Sequence, residues 1–558
     1  MATMTPTRAR FALLTLAVIA SGCASRSGTS SPAPQPTPGQ TTPAATQTGE
    51  VAPATPQQPQ SPLTGAAPAN SLTALRFSLD SMVALPEFRN AHWGILVVDA
   101  KRGDTLYSHN AGKLFMPASN MKIVTGSVAL AQLGPDFRFN TAFVTAGPVC
   151  GGVLHGDLLV MGRGDPSLSD AMRDTAMIPM REIADSLASR GIRTVRGRVI
   201  SGFDAFPGSE LGYGWSWGDL GATYSAGVDE LFFNEGYGRV EVRGGKRSAS
   251  PVTIRALTTT HYPELLIAAR TGFSPDTLGP ATANGGGAVR GSRYRHRTAD
   301  LDVITDSLGQ RLVLDGWIEP GVVDTIDVVF PNQNEAYLAT LRGAIAHRGI
   351  HVQKRTRQLG TCAGATTARA LDTLFTYQSP PLRDILHAME KPSQNQIAEI
   401  LLRTIGLERA GVGRADSGAS VVERQLLAWG AQPDGFVIRD GSGLSRYDYL
   451  SPETIVHILT AIQQDTAFHA FYDALPIAGV DGTIENRMRG TAAEGNVHAK
   501  TGSINNARSL SGYVTTADGR ELIFSLLANN WTAPARDVVA VQDAIAAKLA
   551  ELVMPAGS

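Results

Sequence analysis

One pair of side chains in this sequence has the types and the spacing that an acyl-transfer reaction needs. Ser119 and Lys122 form a Ser-x-x-Lys motif at the start of a predicted helix, where a spacing of three residues places both on one face within hydrogen-bonding reach. A serine hydroxyl is a poor nucleophile until a base removes its proton, and an ammonium group cannot act as that base. Lys122 must therefore be neutral for part of the time, which burial and a second nearby cation would both favour.

Two further motifs supply the other groups that such a reaction uses. They are Ser-x-Asn, formed by Ser393 and Asn395, and Lys-Thr-Gly, formed by Lys500, Thr501 and Gly502. The first is expected to open an amphipathic helix and the second to lie at a strand end. We expect Ser393 to relay a proton to the leaving amine and Asn395 to hold the substrate amide. Lys500 and Thr501 are expected to bind a terminal carboxylate, with Gly502 beside them in the substrate-binding strand, and Lys500 is also the second cation.

The backbone can stabilise the negative charge that develops on the attacked carbonyl oxygen. The N–H groups of Ser119 and Ser503 are the candidates for this oxyanion hole, in which each donor is typically worth about 3 kcal/mol. A Gly-rich loop is usually a turn, so a direct catalytic role is the less favoured interpretation of Asp440–Ser445. No His-Glu-x-x-His motif occurs, and no metal or organic cofactor is implied.

The three motifs occur in the order found in serine β-lactamases and penicillin-binding proteins. The sequence around them resembles the class C, low-molecular-mass D-alanyl-D-alanine carboxypeptidase/endopeptidase family over nearly all of the folded chain. That family has its extra domains between the first two motifs, which matches the long interval from Lys122 to Ser393. Gln394 stands where the family commonly has Asp, a change that we expect to alter substrate preference without removing catalysis. The blocks that carry the resemblance are Gly162–Pro166, Trp215–Trp217, Tyr224–Ala226, Phe233–Glu235, Ser379–Leu382, Asp440–Arg446 and Gly479–Thr483.

The resemblance implies a penicillin-recognising serine transpeptidase/β-lactamase-like fold of the α/β (α+β) class, with an antiparallel sheet flanked by helices. It implies hydrolysis of the bond between two D-alanines in peptidoglycan stem peptides through an acyl-enzyme on Ser119, which β-lactam antibiotics would also acylate. DD-endopeptidase cleavage of cross-links is a second expected reaction. One alternative is a β-lactamase-like hydrolase, which the long insertion argues against. Another is a non-catalytic peptidoglycan-binding lipoprotein, which the intact Ser-x-x-Lys pair argues against.

The elements that position these residues come from both ends of the chain. A helix is predicted from Pro117 to its closing residue Gly134. The predicted strands near the two ends are Trp93–Val98, Thr105–Ser108, Asn496–Ser503, Ser509–Thr515 and Glu521–Ala528. They predict one antiparallel sheet built from the two chain ends and interrupted by a large insertion. The catalytic domain is therefore predicted at residues 72–135 and 361–558, and residues 136–360, rich in short strand-like runs, are predicted to form inserted β-rich subdomains.

The first residues predict an export signal. Arg8 and Arg10 precede the apolar run Phe11–Ala20, which has the size of a signal-peptide core and is too short to span a bilayer. Small residues before Cys23 resemble a lipoprotein cleavage site, so residues 1–23 predict a signal peptide with lipidation of Cys23, while ordinary cleavage after Ala24 stays open. Residues 24–71, mostly Ser, Thr, Pro, Ala, Gln and Gly, predict a disordered linker. The expected location is the periplasm or cell envelope, with a membrane contact only through the lipid.

Charge and cysteine content bear on two further questions, whether the protein binds nucleic acid and whether it contains a disulfide. The 558 residues include 49 Lys and Arg and 50 Asp and Glu, giving a net charge of −1 that offers no argument for a nucleic-acid partner. With Cys23 lipidated or removed, Cys150 and Cys362 remain, an even number in an oxidising compartment. A disulfide between them and two independent buried thiols are equally open, because spacing does not show how close their Cα atoms come.

Overall fold

The computed structural model describes residues 71–257, 262–273, 298–305, 311–353 and 371–554. The predicted signal peptide, nearly all of the predicted linker, Cys23 and Cys362 lie outside these ranges. Cys150 is disulfide-bonded, and its pairing with Cys362 stays a prediction. Among the residues described, we find no helix with the length and apolar character needed to cross a membrane.

Seven of the ten helices of the described residues lie in the second half of the chain, and several of them frame the cleft described below. Two of them, α3 and α4, lie in the segment predicted to be β-rich. The helices of the described residues are α1 (Leu72–Val83), α2 (Met121–Leu133), α3 (Met177–Ser189), α4 (Gln333–His347), α5 (Leu382–Glu390), α6 (Asn395–Ala410), α7 (Ala415–Ala428), α8 (Pro452–Gln463), α9 (Phe468–Ala474) and α10 (Ala535–Glu551).

Strands are concentrated at the two chain ends and in the middle of the chain. The strands of the described residues are β1 (His92–Asp99), β2 (Thr105–His109), β3 (Asn140–Thr145), β4 (Val149–Cys150), β5 (Val153–Leu154), β6 (Leu158–Met161), β7 (Thr194–Val195), β8 (Val199–Ser201), β9 (Tyr237–Arg243), β10 (Thr253–Ala256), β11 (Leu265–Ile267), β12 (Arg270–Thr271), β13 (Ala299–Thr305), β14 (Leu312–Ile318), β15 (Val323–Val329), β16 (His351–Val352), β17 (Asp372–Gln378), β18 (Phe436–Val437), β19 (Tyr449–Leu450), β20 (His498–Ile504), β21 (Ala507–Thr515) and β22 (Glu521–Asn529).

The central sheet joins the two ends of the chain. Its order is β2-β1-β22-β21-β20, and every neighbouring pair is antiparallel. Alternate residues of β1 face opposite sides: Ile95 and Val97 pack in a core with α1 and α10, and Leu96 and Val98 pack in a second core with α2 and helices α5 to α9. A sheet buried on both faces explains the unbroken apolar run in β1. The predicted antiparallel sheet flanked by helices is confirmed.

Helix α2 runs through the second core. Ten consecutive residues from Met121 to Leu130 are buried, and the helix packs against α6, α8 and α5. Gly134, with φ of 85°, ends the helix where the sequence predicted. A 3₁₀ turn, Ala118–Asn120, precedes the helix and carries Ser119. The nucleophile candidate therefore lies at the exposed end of a rigid, buried element.

The middle of the chain forms four small sheets around two helices. The sheets are β17-β3-β6-β8, β16-β7-β5-β4, β10-β9-β15 and β11-β14-β12, with β13 paired to β14. Two of the strand-like runs in this region, residues 153–161 and 194–200, each contain two strands: β5 and β6 in the first, β7 and β8 in the second. The chain turns between them at Gly156 and Gly197, whose backbones touch: a Cβ on Gly197 would lie 2.3 Å from the Gly156 carbonyl oxygen. Strand β17 follows the predicted boundary at residue 360 and pairs with β3.

Candidate active site

A cleft of about 410 Å³ lies beside β20, the edge strand of the central sheet. Its walls bring together Ser119, Ser393, Asn395, Thr501 and Ser503, which come from the three motifs. Loops and the middle of the chain supply the rest of the lining: Asp219, Tyr224, Gly443, Leu444, Arg446, Thr483, Ile504, Asn505 and Arg508.

The turn that carries Ser119 is fastened to the strands beside it. Ser509 Oγ donates to the carbonyl oxygen of Pro117 at 2.7 Å, two residues before the nucleophile candidate. Asn120, directly after it, donates from Nδ2 to the carbonyl oxygen of Lys500 at 2.8 Å. Ser119 is thus held against β20 and β21 from both sides of its own backbone.

Lys122 has three acceptors around its amine. Its Nζ donates to Ser119 Oγ at 3.0 Å, to Asn395 Oδ1 at 2.6 Å and to the carbonyl oxygen of Ser442 at 3.0 Å. An ammonium has three N–H donors, so all three contacts suit the charged form. A neutral amine keeps two donors and gains a lone pair. Loss of one proton therefore turns the Ser119 contact into one in which the hydroxyl donates to the amine, as a general base requires.

Burial and charge both favour that neutral form. Lys122 is fully buried, and this burial, followed by the positive charge of Lys500, lowers its pKa to about 7, against the opposing effect of the Glu390 carboxylate. Burial likewise lowers the pKa of Lys500 to about 8. The two effects named from the sequence, burial and a second cation, are the ones that lower the pKa of Lys122.

The backbone of the Ser-x-Asn motif differs from the predicted helix start. Ser393 has φ of 66°, a left-handed conformation that few residues other than glycine adopt, and it does not open the helix. Helix α6 begins at Asn395, capped by Gln394, whose Oε1 accepts from the N–H of Ile397 at 2.9 Å. The longer side chain of Gln394 can reach this N–H, which leaves Ser393 free to line the cleft.

Both polar atoms of Asn395 are engaged by the protein. Its Oδ1 accepts from Lys122, and its Nδ2 donates to the carbonyl oxygen of Tyr224 at 2.7 Å. These two partners fix the orientation of the amide, because the carbonyl of Tyr224 can only accept. The second N–H of Nδ2 is the donor left to hold a substrate amide, the role that the sequence predicts.

The Lys-Thr-Gly motif lies on β20 with its three residues at different depths. Lys500 is fully buried and donates from Nζ to the carbonyl oxygen of Thr501 at 3.1 Å. Thr501 lines the cleft and donates from Oγ1 to Thr483 Oγ1 at 2.7 Å. Gly502 passes close to the nucleophile's turn: a Cβ there would lie 2.6 Å from the Pro117 carbonyl oxygen. A direct contact between Lys500 and a substrate carboxylate stays a prediction.

The Gly-rich run at residues 440–445, which we name the Asp440 loop, lies directly behind the lysine. Its residue Ser442 supplies the carbonyl that accepts from Lys122. Gly443, with φ of 80°, lies so close to the nucleophile's turn that a Cβ would be 1.8 Å from the carbonyl oxygen of Ala118. Glu399 Oε1 accepts from the N–H groups of Gly441 and Ser442 at 3.0 Å and 2.9 Å. The contacts fit the structural role expected for this loop.

Some residues of the site carry no signal in the three motifs. Tyr224, Arg446 and Thr483 occur in the blocks of the family resemblance, which marked them without a role. Asp219 lies outside every block. Glu390 is a fully buried carboxylate on α5 whose two oxygens have no hydrogen-bond partner among the described residues, and its charge opposes the lowered pKa of both lysines. Only the tertiary structure brings the first four residues to the cleft and places the Glu390 carboxylate where its charge acts on the two lysines.

A second serine occurs in a pattern used by other hydrolases. Residues 214–218 read Gly-Trp-Ser-Trp-Gly, the Gly-x-Ser-x-Gly pattern of an α/β-hydrolase nucleophile elbow. That elbow requires a strand before the serine and a helix after it. Ser216 instead precedes a 3₁₀ turn, Trp217–Asp219, in an irregular loop. The geometry does not support Ser216 as a nucleophile.

Comparison with known proteins gives one consistent family. A model of the D-Ala-D-Ala carboxypeptidase 3 (S13) family matches residues 75–276 and 289–552. A D-alanyl-D-alanine carboxypeptidase of Actinomadura sp. is 33% identical over 510 residues, covering 88% of this chain and 88% of the relative. D-alanyl-D-alanine carboxypeptidase DacB of Haemophilus influenzae is 25% identical over 457 residues, covering 80% of this chain and 87% of that protein.

Solved structures agree in fold. The crystal structure of penicillin binding protein 4 (dacB) from Haemophilus influenzae superposes with a TM-score of 0.69 at 23% identity, covering 85% of this chain and 99% of that one. The same protein complexed with a β-lactam superposes with a TM-score of 0.65 at 22% identity, covering 84% and 98%. The similarity includes the middle of the chain as well as the central sheet.

Proposed function

The chain belongs to the D-Ala-D-Ala carboxypeptidase 3 (S13) family and is a serine D-alanyl-D-alanine carboxypeptidase, and from this premise we propose that Ser119 is the residue its substrate acylates. The observation that carries the proposal is the 3.0 Å hydrogen bond between Lys122 Nζ and Ser119 Oγ at the cleft. A buried amine with a lowered pKa and a serine hydroxyl in contact are the two parts of an activated nucleophile.

In the proposed reaction, neutral Lys122 takes the Oγ proton as Ser119 Oγ bonds to the carbonyl carbon of the penultimate D-alanine. The N–H groups of Ser119 and Ser503 hold the resulting oxyanion. The C–N bond then breaks, and the proton passes from Lys122 through the hydroxyl of Ser393 to the nitrogen of the departing D-alanine. Water attacks the ester in the second half of the reaction, gives its proton to Lys122 and releases the shortened peptide. Lys122 then returns this proton to Ser119 Oγ, so atoms and charges balance.

The positive charge of the cleft supports recognition of the terminal carboxylate. Arg446 and Arg508 line its walls beside Thr501, and the side chain of Lys500 on β20 is buried next to Thr501. A concave site with cations around it attracts an anionic chain end. We assign the direct hydrogen bond to the Thr501 hydroxyl, which would turn its proton from Thr483 Oγ1 to the carboxylate. We assign the longer-range attraction to the buried Lys500 ammonium.

We extend the proposal to cross-links and to β-lactams. The same attack on an amide that joins two stem peptides would make the protein a DD-endopeptidase. A β-lactam presents a strained amide and a carboxylate to the same groups, and a similar structure contains such a compound. Fast hydrolysis of the drug would indicate the β-lactamase alternative. A non-catalytic peptidoglycan-binding lipoprotein would bind cell wall without any adduct.

The substrate also indicates the cellular location of the protein. Peptidoglycan lies outside the cytoplasmic membrane, so we propose an exported protein of the cell envelope. The apolar run before Cys23 supports a signal peptide, and the cysteine supports a lipid anchor on a long polar linker. Mass spectrometry of the N-terminal peptide from the native host would show diacylglycerol on Cys23, or a cut after Ala24.

The direct test of the proposed function is the intact mass of the protein after brief incubation with benzylpenicillin. One stable adduct per molecule, mapped by proteolysis to the peptide that contains Ser119, is expected. Release of D-alanine from a peptide ending in D-Ala-D-Ala, and cleavage of a cross-linked dimer, would give the balance of the two peptidase activities. Rapid loss of penicillin without an adduct would favour the β-lactamase alternative. Intact drug and unmodified protein would refute an acylating enzyme.

The acylation rate is expected to depend on pH in a bell shape. It rises as Lys122 loses its proton, around its pKa of about 7, because only the neutral amine can accept the serine proton. It falls as Lys500 loses its proton, around its pKa of about 8, because the cation that attracts the carboxylate is lost. Stopped assays across the pH range would check this. In Lys500→Met the rising limb should move to higher pH, and a wild-type rate that falls as the pH rises towards neutrality would contradict the assignment.

Gly502→Ala is expected to lower the acylation rate about 100-fold, the cost of moving a reacting group by about 1 Å. The added methyl would meet Ser509 Oγ at 2.0 Å and the Pro117 carbonyl oxygen at 2.6 Å, which forces β20 away from the nucleophile's turn. Gly272→Ala is the matched control, since a Cβ there has nothing within 4 Å. Equal rates for Gly502→Ala and the control would show that the contact does not position Ser119.

A further inference from the structure

One segment of the inserted region reaches into the catalytic centre and contacts it at two separate places. Residues 213–226, which we name the insertion strap, lie between β8 and β9. Trp215 Nε1 donates to Asp440 Oδ2 at 2.9 Å. At the other end of the strap, the carbonyl oxygen of Tyr224 accepts from Asn395 Nδ2 at 2.7 Å. Each contact ends next to an acceptor of Lys122: Asn395 Oδ1 at one end, and the Ser442 carbonyl of the Asp440 loop at the other.

The first contact ends on the residue that shapes the Asp440 loop. Asp440 is fully buried, and its Oδ1 accepts from the N–H groups of Ser442 and Gly443 at 3.1 Å and 2.6 Å. Its Oδ2 accepts from the N–H of Ser445 at 2.7 Å as well as from Trp215. Together with Glu399, this carboxylate sets the backbone path that aims the carbonyl of Ser442 at Lys122. Ser442 Oγ donates to the same Oδ2 at 3.4 Å from within the loop, and Trp215 supplies a shorter side-chain hydrogen bond from outside it.

The second contact ends on the other acceptor of Lys122. Asn395 can accept from the lysine through Oδ1 only if its amide plane is held, and the Tyr224 carbonyl holds it through Nδ2. The neighbouring Gln396 fastens the same end of the strap, since its Nε2 donates to the carbonyl oxygens of Thr223 and Ala226 at 2.8 Å and 3.2 Å. Both acceptors that orient Lys122 towards Ser119 are thus held by the strap.

Contacts of its own side chains also stabilise the conformation of the strap. Its Tyr224 hydroxyl donates to Asp219 Oδ1 at 2.9 Å, and the ring of Tyr213 lies 5.7 Å from that of Tyr447, centroid to centroid, just beyond the Asp440 loop. Asp219 and Tyr224 line the cleft, so the strap faces the substrate on one side and the groups around the base on the other. Trp215 is only half-buried, so apolar burial alone does not account for its position.

We propose that the insertion strap is part of the catalytic machinery, with Trp215 as a positioning residue that, through Asp440, keeps Lys122 aimed at Ser119. The inference rests on the proposed roles of Ser119 and Lys122. It gives the large insertion a function in the chemical step itself. The strap holds the base in place before substrate arrives, a form of preorganisation that lowers the barrier without any contact between Trp215 and the reacting atoms.

The test is the rate of acylation by benzylpenicillin in Trp215→Phe, which keeps the ring and removes the N–H. Loss of a hydrogen bond to a charged acceptor is expected to slow acylation about tenfold. Every molecule should still form an adduct at long times, because the nucleophile is intact. With a D-Ala-D-Ala peptide, kcat should fall while KM stays constant. Trp317→Phe is the matched control: this indole is also half-buried, lies on β14 outside the strap and should keep the wild-type rate.

A purely structural role for Trp215 predicts a different pattern. It would lower the melting temperature and the fraction of molecules that form an adduct, and leave the rate of the competent fraction unchanged; that pattern would overturn the inference. Gln396→Met, which releases the other end of the strap, should slow acylation in the same way. Wild-type rates in both variants would also overturn the inference while leaving the proposed function intact. Failure of the wild type itself to form an adduct would refute the proposed function instead.

Discussion

Ser119→Ala is expected to abolish the peptidase activity and the penicillin adduct together, with a fall in kcat of about 10⁶-fold. The reason is chemical: among the described residues, the hydroxyl that accepts from the Lys122 amine is that of Ser119, and the other two acceptors are Asn395 Oδ1 and the Ser442 carbonyl. The cleft should still bind substrate, because its other lining residues are unchanged. Intact mass after penicillin treatment and D-alanine release from a model peptide measure the two effects.

The matched control for this variant is Ser127→Ala. Ser127 lies on the same helix α2, is fully buried and has no hydrogen-bond partner for its Oγ among the described residues. Losing this hydroxyl should leave adduct formation and turnover at wild-type level. An adduct of the same mass on the Ser119→Ala protein would show that another residue is the nucleophile, and Ser216 and Ser393 would then be the residues to replace.

Lys122→Met is expected to slow acylation about 10³-fold without preventing it. A positioned general base contributes a factor on the order of 10²–10⁴ to the rate. The methionine side chain is similar in length to lysine but has no amine to accept the serine proton. The variant also leaves Asn395 Oδ1 and the Ser442 carbonyl without their donor, a loss of about 1–3 kcal/mol of stability for each acceptor that stays unsatisfied. The time course of adduct formation, followed by mass, measures the rate.

Two features of the result would identify Lys122 as the base. Residual acylation should lose the rising limb of the pH profile, since the group with the pKa of about 7 is gone. Lys113→Met, at an exposed position just before the nucleophile's turn, should keep both the rate and the limb. An unchanged pH profile in Lys122→Met would show that another group is the base. The buried carboxylate of Glu390 would then be the first candidate to replace.

The sequence was informative wherever chemistry depends on local spacing. Ser119 and Lys122 are three residues apart on one helix start, so helical geometry alone brings them together. The strands near both chain ends follow from β-branched and apolar runs with a tight turn between the last two. The lowered pKa of Lys122 could be expected too, because a catalytic lysine must be buried and Lys500 was the obvious second cation.

What the sequence did not show depends on contacts between distant parts of the chain. The Ser442 carbonyl meets Lys122 across 320 residues, and a backbone acceptor carries no residue-type signal. Helix α4 was missed although Asn332 accepts from the N–H of Glu335, a cap with acceptor and acid three residues apart. Gln394, not Ser393, caps α6, and Ser393 is left-handed; propensity does not decide which of two neighbouring polar residues takes the cap.

The pairing of β1 with β22 bears on the order in which the parts of the active site can fold. Met116, three residues before the nucleophile, donates its N–H to Asn529 Oδ1 on β22, 413 residues further along the chain. A ribosome releases the N-terminal motif first, but closing so long a loop must wait for the last strand. Contacts of such high sequence separation form late in folding. A chain that lacks β22 and α10 therefore carries every catalytic motif without the strand that holds the nucleophile's turn, and we expect it to have no hydrolytic activity.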